Sequence, residues 1–205
     1  MHHVFLIRHG TTEAIEKHLI QGSTDSPLSA KGREEAHSAS EALKNIPFKA
    51  IFSSPMGSAM ETARILADPH PDVEIIQLHD LHEMDFGFYE LKPFFASPDE
   101  APRGLRRLSL LVKIMLAQAT GEPLKHVSQR ASSSWEQIFT MAPDGEILIV
   151  SHGVLLNYFL KFLLPEATYE AIKPVSLHTC SITELKVYSP GKAEKMRFND
   201  TAHLK

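Results

Sequence analysis

Two short runs, Val4-Phe5-Leu6-Ile7 and Ile147-Leu148-Ile149-Val150, are apolar at every position. A strand with one wet face alternates polar and apolar residues. A run without alternation has to be covered on both faces, as in the interior of a parallel sheet. The stretches between such runs carry the helical period instead. Ser29 offers a cap, and Glu34, Ala36, Ala39, Leu43 and Ile46 follow at the spacing of an amphipathic helix that stops before Pro47. Residues 49–53 read as a second strand after the one at 3–7, 56–67 as a second helix and 73–76 as a third strand. Residues 104–119 and 123–141 read as helices. In the latter, Leu124, Val127, Ala131, Trp135, Ile138 and Ala142 recur three and four apart. A helix over 154–164 and two weaker strands, near 180–188 and 194–199, complete the chain.

Strands alternating with helices predict an α/β fold, a three-layer α/β/α sandwich with a mostly parallel central sheet. We expect one domain over residues 1–205, without repeats or linkers. Pro93 to Arg107, with three prolines and three arginines, reads as a surface excursion, and the span 92–120 is placed to form a lid or insertion.

Composition narrows the function classes. The net charge is -4, from 21 basic and 25 acidic residues. That argues against nucleic acid as a partner, because neutralising phosphates needs a basic face. The single cysteine, Cys180, excludes an internal disulfide and disfavours a thiolate metal site. No stretch is long and apolar enough to span a bilayer. The N-terminal apolar run is cut short by Arg8, unlike a secretion signal. The expectation is a cytoplasmic protein with no membrane partner; oligomeric state is not readable.

In a mostly parallel sheet, ligands bind beyond the carboxyl ends of the strands. The first strand ends in Arg8-His9-Gly10-Thr11, the second in Ser53-Ser54-Pro55, and the strand at 147–150 in Ser151-His152-Gly153. One histidine at a strand end is an ordinary cap. Two His-Gly pairs at two strand ends point to function. A neutral imidazole is a competent nucleophile near pH 7 once its other nitrogen is fixed. Arg8 can grip two phosphate oxygens, Gly10 leaves the backbone open to a phosphate, and His152 can donate to a non-bridging oxygen. Ser53 and Ser54 have no base at a recognisable spacing and read as turn residues before Pro55.

Together these segments resemble the histidine phosphatase superfamily, also called phosphoglycerate-mutase-like. The resemblance is carried by Leu6-Ile7-Arg8-His9-Gly10, by Gln21-Gly22 through Asp25-Ser26-Pro27-Leu28-Ser29, and by Gly32-Arg33-Glu34-Glu35-Ala36. It continues in Ser53-Ser54-Pro55-Met56 with Glu61-Thr62-Ala63, in Leu81-His82-Glu83-Met84-Asp85-Phe86-Gly87, and in Val150-Ser151-His152-Gly153. Gly121-Glu122 with Val127 and Arg130 also has a counterpart.

The resemblance implies hydrolysis of a small-molecule phosphate monoester in two steps, without a cofactor or metal. His9 takes the phosphoryl group as a phosphohistidine, Arg8 and His152 hold its oxygens, and Glu83 exchanges the proton. Thr11, Gln21, Gly22 and Gly153 are implied substrate-binding positions. Three positions depart from the family pattern: Ser58 stands where an arginine is usual, Ala14-Ile15 where a tryptophan-asparagine pair is usual, and Leu19 where an arginine is common. Either another cation compensates (Lys17, Arg33, Arg64, Arg103, Arg106 or Arg107) or activity is reduced.

Three other readings compete. His79, His82 and Asp85, with His152 from elsewhere, have the side chains of a zinc or manganese site. A mutase would return the phosphoryl group to substrate, although its members carry longer substrate-gripping segments. A catalytically weak relative would only bind phospholigands. No Gly-x-Ser-x-Gly elbow, His-Glu-x-x-His, Walker loop or Gly-x-Gly-x-x-Gly occurs.

Overall fold

A computed structural model describes residues 1–93, 119–142, 144–171 and 177–205. Its centre is the strand that the first apolar run builds, β1 (His2–Arg8), where Val4, Phe5, Leu6 and Ile7 are all buried. The other strands are β2 (Ala50–Ser53), β3 (Ile75–Gln77), β4 (Gly145–Ser151), β5 (Ile182–Ser189) and β6 (Lys192–Asp200). They form one six-stranded sheet in the order β3-β2-β4-β1-β5-β6. The first four in that order are mutually parallel. Of the last two, the strands expected to be weak, β5 pairs antiparallel with β1 and β6 antiparallel with β5. Only residues 190–191 link β5 to β6, a connection short enough for an antiparallel hairpin.

The helices are α1 (Glu13–Glu16), α2 (Ala30–Leu43), α3 (Gly57–Ala67), α4 (Leu124–Met141), α5 (Gly153–Leu163) and α6 (Glu166–Glu170). Two apolar clusters lie on opposite faces of the sheet. Val4 and Leu6 of β1 pack with Trp135 of α4 and Phe159 of α5, whereas Phe5 and Ile7 pack with α2 and α3. Neighbouring residues of one strand thus enter different clusters, as a pleated strand covered on both faces requires. The three-layer α/β/α expectation holds. Of the helix expected at 104–119, all but its last residue lies outside the described residues, as does most of the 92–120 excursion.

Register decides where the site falls. β1 pairs with β4 so that Arg8 stands opposite Ser151. One step further on, the His9 N–H donates to the Ser151 carbonyl at 2.9 Å. Both His-Gly pairs therefore leave the sheet side by side.

Candidate active site

His9 and His152 meet. Their ring centroids are 4.9 Å apart, and the residues are 3% and 1% exposed. His9 Nδ1 lies 2.8 Å from the Gly10 carbonyl. A carbonyl only accepts, so Nδ1 carries the hydrogen and Nε2 keeps its lone pair. Burial, reinforced by the neighbouring Arg8 cation, lowers the His9 pKa to about 3. The ring is thus a free base throughout the physiological range. Burial also brings His152 well below the usual histidine range, with His9 and Arg8 adding to the effect.

Arg8 ends β1 with its guanidinium anchored by Nη1, which donates to the Leu177 carbonyl at 2.7 Å. Its Nε is buried without a partner among the described residues. Burial draws its pKa down, and Glu83 opposes that. A methyl group placed on Gly153 would touch Arg8 Nε at 3.5 Å and Glu83 Oε2 at 3.8 Å. The guanidinium and the carboxyl therefore flank the same point at the start of α5.

Glu83 is 6% exposed. Its Oε1 accepts from the backbone N–H groups of Met84 (2.9 Å) and Leu155 (3.2 Å), and Oε2 from Val154 (3.0 Å). These donors and Arg8 favour the ionised carboxyl, but burial outweighs them and raises its pKa. Oε1 holds two donors and Oε2 one, so Oε2 is the better seat for a proton.

The other expected positions divide. Thr11 is tied by its N–H and hydroxyl to Glu35, and its hydroxyl also meets Thr179. The Gln21 carbonyl oxygen accepts from Thr12, while its buried Nε2 has no partner among the described residues. Gly22 donates to Glu90, whose carboxylate also takes the N–H groups of Ser23, Thr24 and Phe86 at 2.8–3.2 Å. That one side chain clasps the 22–24 loop to the 86–90 segment. Gly10 meets a packing demand of its own: a Cβ there would lie 2.5 Å from the Gly32 carbonyl oxygen. Its small size serves packing against the first turn of α2, a contact invisible until the helix is placed.

Ser58 is fully buried on α3, with no partner for its Oγ among the described residues. Of the expected compensating cations, Lys17 pairs with Glu13 and Arg33 with Glu61 at exposed positions, and Arg64 is exposed. Arg103, Arg106 and Arg107 lie outside the described residues. In the metal reading, the His79 and His82 rings are 5.0 Å apart, but His82 Nδ1 donates to the Glu83 carbonyl and Asp85 accepts from Gly87. Among the described residues, no three His, Cys, Asp or Glu side chains form a metal-holding group. No helix among them is long and apolar enough to cross a membrane.

Two contacts escape sequence reading. Arg130 is held bidentately by Glu122 and donates to the carbonyls of Asp80 and His82, bracing the strand of chain that presents Glu83. Ser54, read as a turn former, also lies 2.8 Å from His152 Nε2. The signal for it is the β2–β4 register, in which Ser53 pairs with Val150, and that register is not written in either segment alone.

Fold and site define a class of protein: an α/β sheet whose carboxyl edge gathers a buried histidine pair, an arginine and a carboxyl of raised pKa, the equipment of histidine-type phosphoryl transfer. The comparisons with known proteins make this specific. The model of the histidine phosphatase superfamily (branch 1) matches residues 4–201, and the chain belongs to that superfamily. It is 31% identical over 182 residues, covering 89% of this chain and 83% of the relative, to a protein from Enterobacter sp. (strain 638) named "Probable phosphoglycerate mutase GpmB". Among solved structures, Bacillus stearothermophilus YhfR superposes with a TM-score of 0.82 at 27% identity, over 100% of both chains. A mutant phosphoserine phosphatase from Entamoeba histolytica, in complex with phosphoserine, superposes with a TM-score of 0.77 at 25% identity, again over 100% of both.

Proposed function

We propose that this protein hydrolyses a small-molecule phosphate monoester through a phosphohistidine on His9. The observation that carries the reading is the fixed tautomer of His9, whose Nδ1 is committed to the Gly10 carbonyl and whose Nε2 is a buried free base. In the first step the Nε2 lone pair forms a bond to phosphorus and the bond to the ester oxygen breaks. The proton on Glu83 passes to the departing alkoxide. In the second, water loses a proton to the Glu83 carboxylate and attacks phosphorus. The P–N bond breaks, its electron pair returns to Nε2, and inorganic phosphate leaves. Arg8 offsets the charge on the phosphoryl oxygens, and His152 donates to one of them.

No cofactor enters either step. Thr11, Gln21, Gly22 and Gly153 line the approach in this reading, with Gln21 Nε2 a donor still to be used. The mutase reading is favoured by the name of the Enterobacter relative. The product separates the two. A panel of phosphate esters assayed for inorganic phosphate should give turnover that disappears in His9→Ala while the circular-dichroism spectrum stays native. Isomerised ester without phosphate release would mean a mutase. Turnover equal in wild type and variant would overturn the assignment of His9. Ligand binding with no turnover by either would leave a phospholigand binder.

A further inference from the structure

We propose that Ser54 is a positioning residue that sets the tautomer of His152, leaving Nδ1–H as the donor offered to the phosphoryl group. The contact is the 2.8 Å separation between Ser54 Oγ and His152 Nε2. A neutral imidazole and a hydroxyl can share such a contact in two ways: Oγ–H donates to Nε2, or Nε2–H donates to Oγ.

The surroundings of Ser54 choose between them. It is fully buried, and its Oγ already accepts from the Met56 N–H at 3.3 Å. Apart from Nε2, no acceptor engages that hydroxyl among the described residues. If Nε2 carried the hydrogen, the hydroxyl hydrogen of Ser54 would be buried without an acceptor among the described residues, which costs its full desolvation. If Oγ–H donates to Nε2, both groups are satisfied and the ring hydrogen moves to Nδ1. That atom has no partner among the described residues.

The backbone holds Ser54 in place for this. Its N–H donates to the Val150 carbonyl at 3.0 Å, two residues before His152, and its own carbonyl accepts from Ser53 Oγ at 2.9 Å. β2 and β4 are neighbours in the sheet, so the end of one strand orients the ring that follows the other. His9 is fixed in the same way by a backbone carbonyl. Each histidine then has one nitrogen tied to the protein and the other without a partner among the described residues, a lone pair on His9 and an N–H on His152. Nucleophile and donor need those opposite assignments.

The kinetic consequence rests on the phosphatase reading, whereas the tautomer does not. The test is a two-bond ¹H–¹⁵N correlation spectrum of the ¹⁵N-histidine-labelled protein without ligand, in which the protonated and bare ring nitrogens of His152 have separate shifts. Wild type should show Nδ1–H, and Ser54→Ala should move His152 to Nε2–H or a mixture. The same variant should lower kcat/KM for a phosphate ester about tenfold or more, mainly through kcat, because a donor is misassigned in the transition state. Ser54→Cys, which keeps the shape but donates weakly, should fall between the two and replaces the alanine variant if that one does not fold. Nε2–H in wild type, or an unchanged His152 tautomer in either folded variant, would overturn the proposal. An Nδ1–H signal that responds to Ser54 in a protein without turnover would uphold it while sinking the phosphatase reading.

Discussion

At the scale of single residues, the site works by assigning charge and protons to particular atoms. His9 is kept neutral by burial and by Arg8, whereas Glu83 is pushed toward its protonated form by the same burial. One low-dielectric pocket thus prepares a base and an acid together. Glu83→Gln tests the acid. It should slow the phosphorylation step with esters of poor leaving groups, such as alkyl phosphates, by about 10²–10⁴-fold, the usual worth of a general acid, and spare that step, read as the initial burst of p-nitrophenolate, with p-nitrophenyl phosphate, whose phenolate departs without a proton. The pH dependence has a definite sign. The first step needs the protonated carboxyl, so phosphorylation by alkyl esters should decline as pH rises through the elevated Glu83 pKa, and that limb should vanish in Glu83→Gln. Equal slowing of the phosphorylation step for both ester types, with the limb retained, would assign the proton to another group.

At the scale of elements, close backbone approach locks the pieces that carry these residues. The Gly10 and Gly32 backbones touch where the first loop meets the start of α2, and Ser29 caps that helix by accepting from the Gly32 N–H at 3.1 Å. Gly10→Ala drives a methyl group into a carbonyl oxygen that belongs to the main chain and cannot rotate away. Its expected cost is about 1–3 kcal/mol, the range for overpacking, read as a lower urea midpoint. Gly153→Ala is the control, since its methyl would make only ordinary contact with Arg8 at 3.5 Å. Equal stability of the two variants would refute the packing account of Gly10. The caps, the apolar runs and the turn signals were legible because each is a local property: Ser29, the 123–141 period and both buried strands stand where their residues imply. Strand pairing is non-local, so the antiparallel hairpin at β1, the Glu90 clasp and the Ser54–His152 contact were not. Glu90 in particular looks like any loop acid until four N–H groups from two segments converge on it.

At the scale of the whole molecule, the sheet order turns two distant tripeptides into one site. β1 and β4 are about 140 residues apart in sequence yet adjacent and parallel, with Arg8 opposite Ser151. Shifting that register by a single residue would turn one of the two strands' side chains to the opposite face and separate the rings. The pairing of His9 with His152 could be expected from motif order, but its 4.9 Å geometry depends on burial across two apolar clusters that only the assembled sandwich provides. Everything converges on the lone pair of one nitrogen. The direct measurement is intact-protein mass spectrometry after rapid quenching at alkaline pH during turnover of a good phosphate ester. The account predicts a single added phosphoryl group that survives base, is lost in acid, and maps to His9. An adduct on any other residue, or none in an enzyme that is turning over even when the second step is slowed by Glu83→Gln, would contradict it.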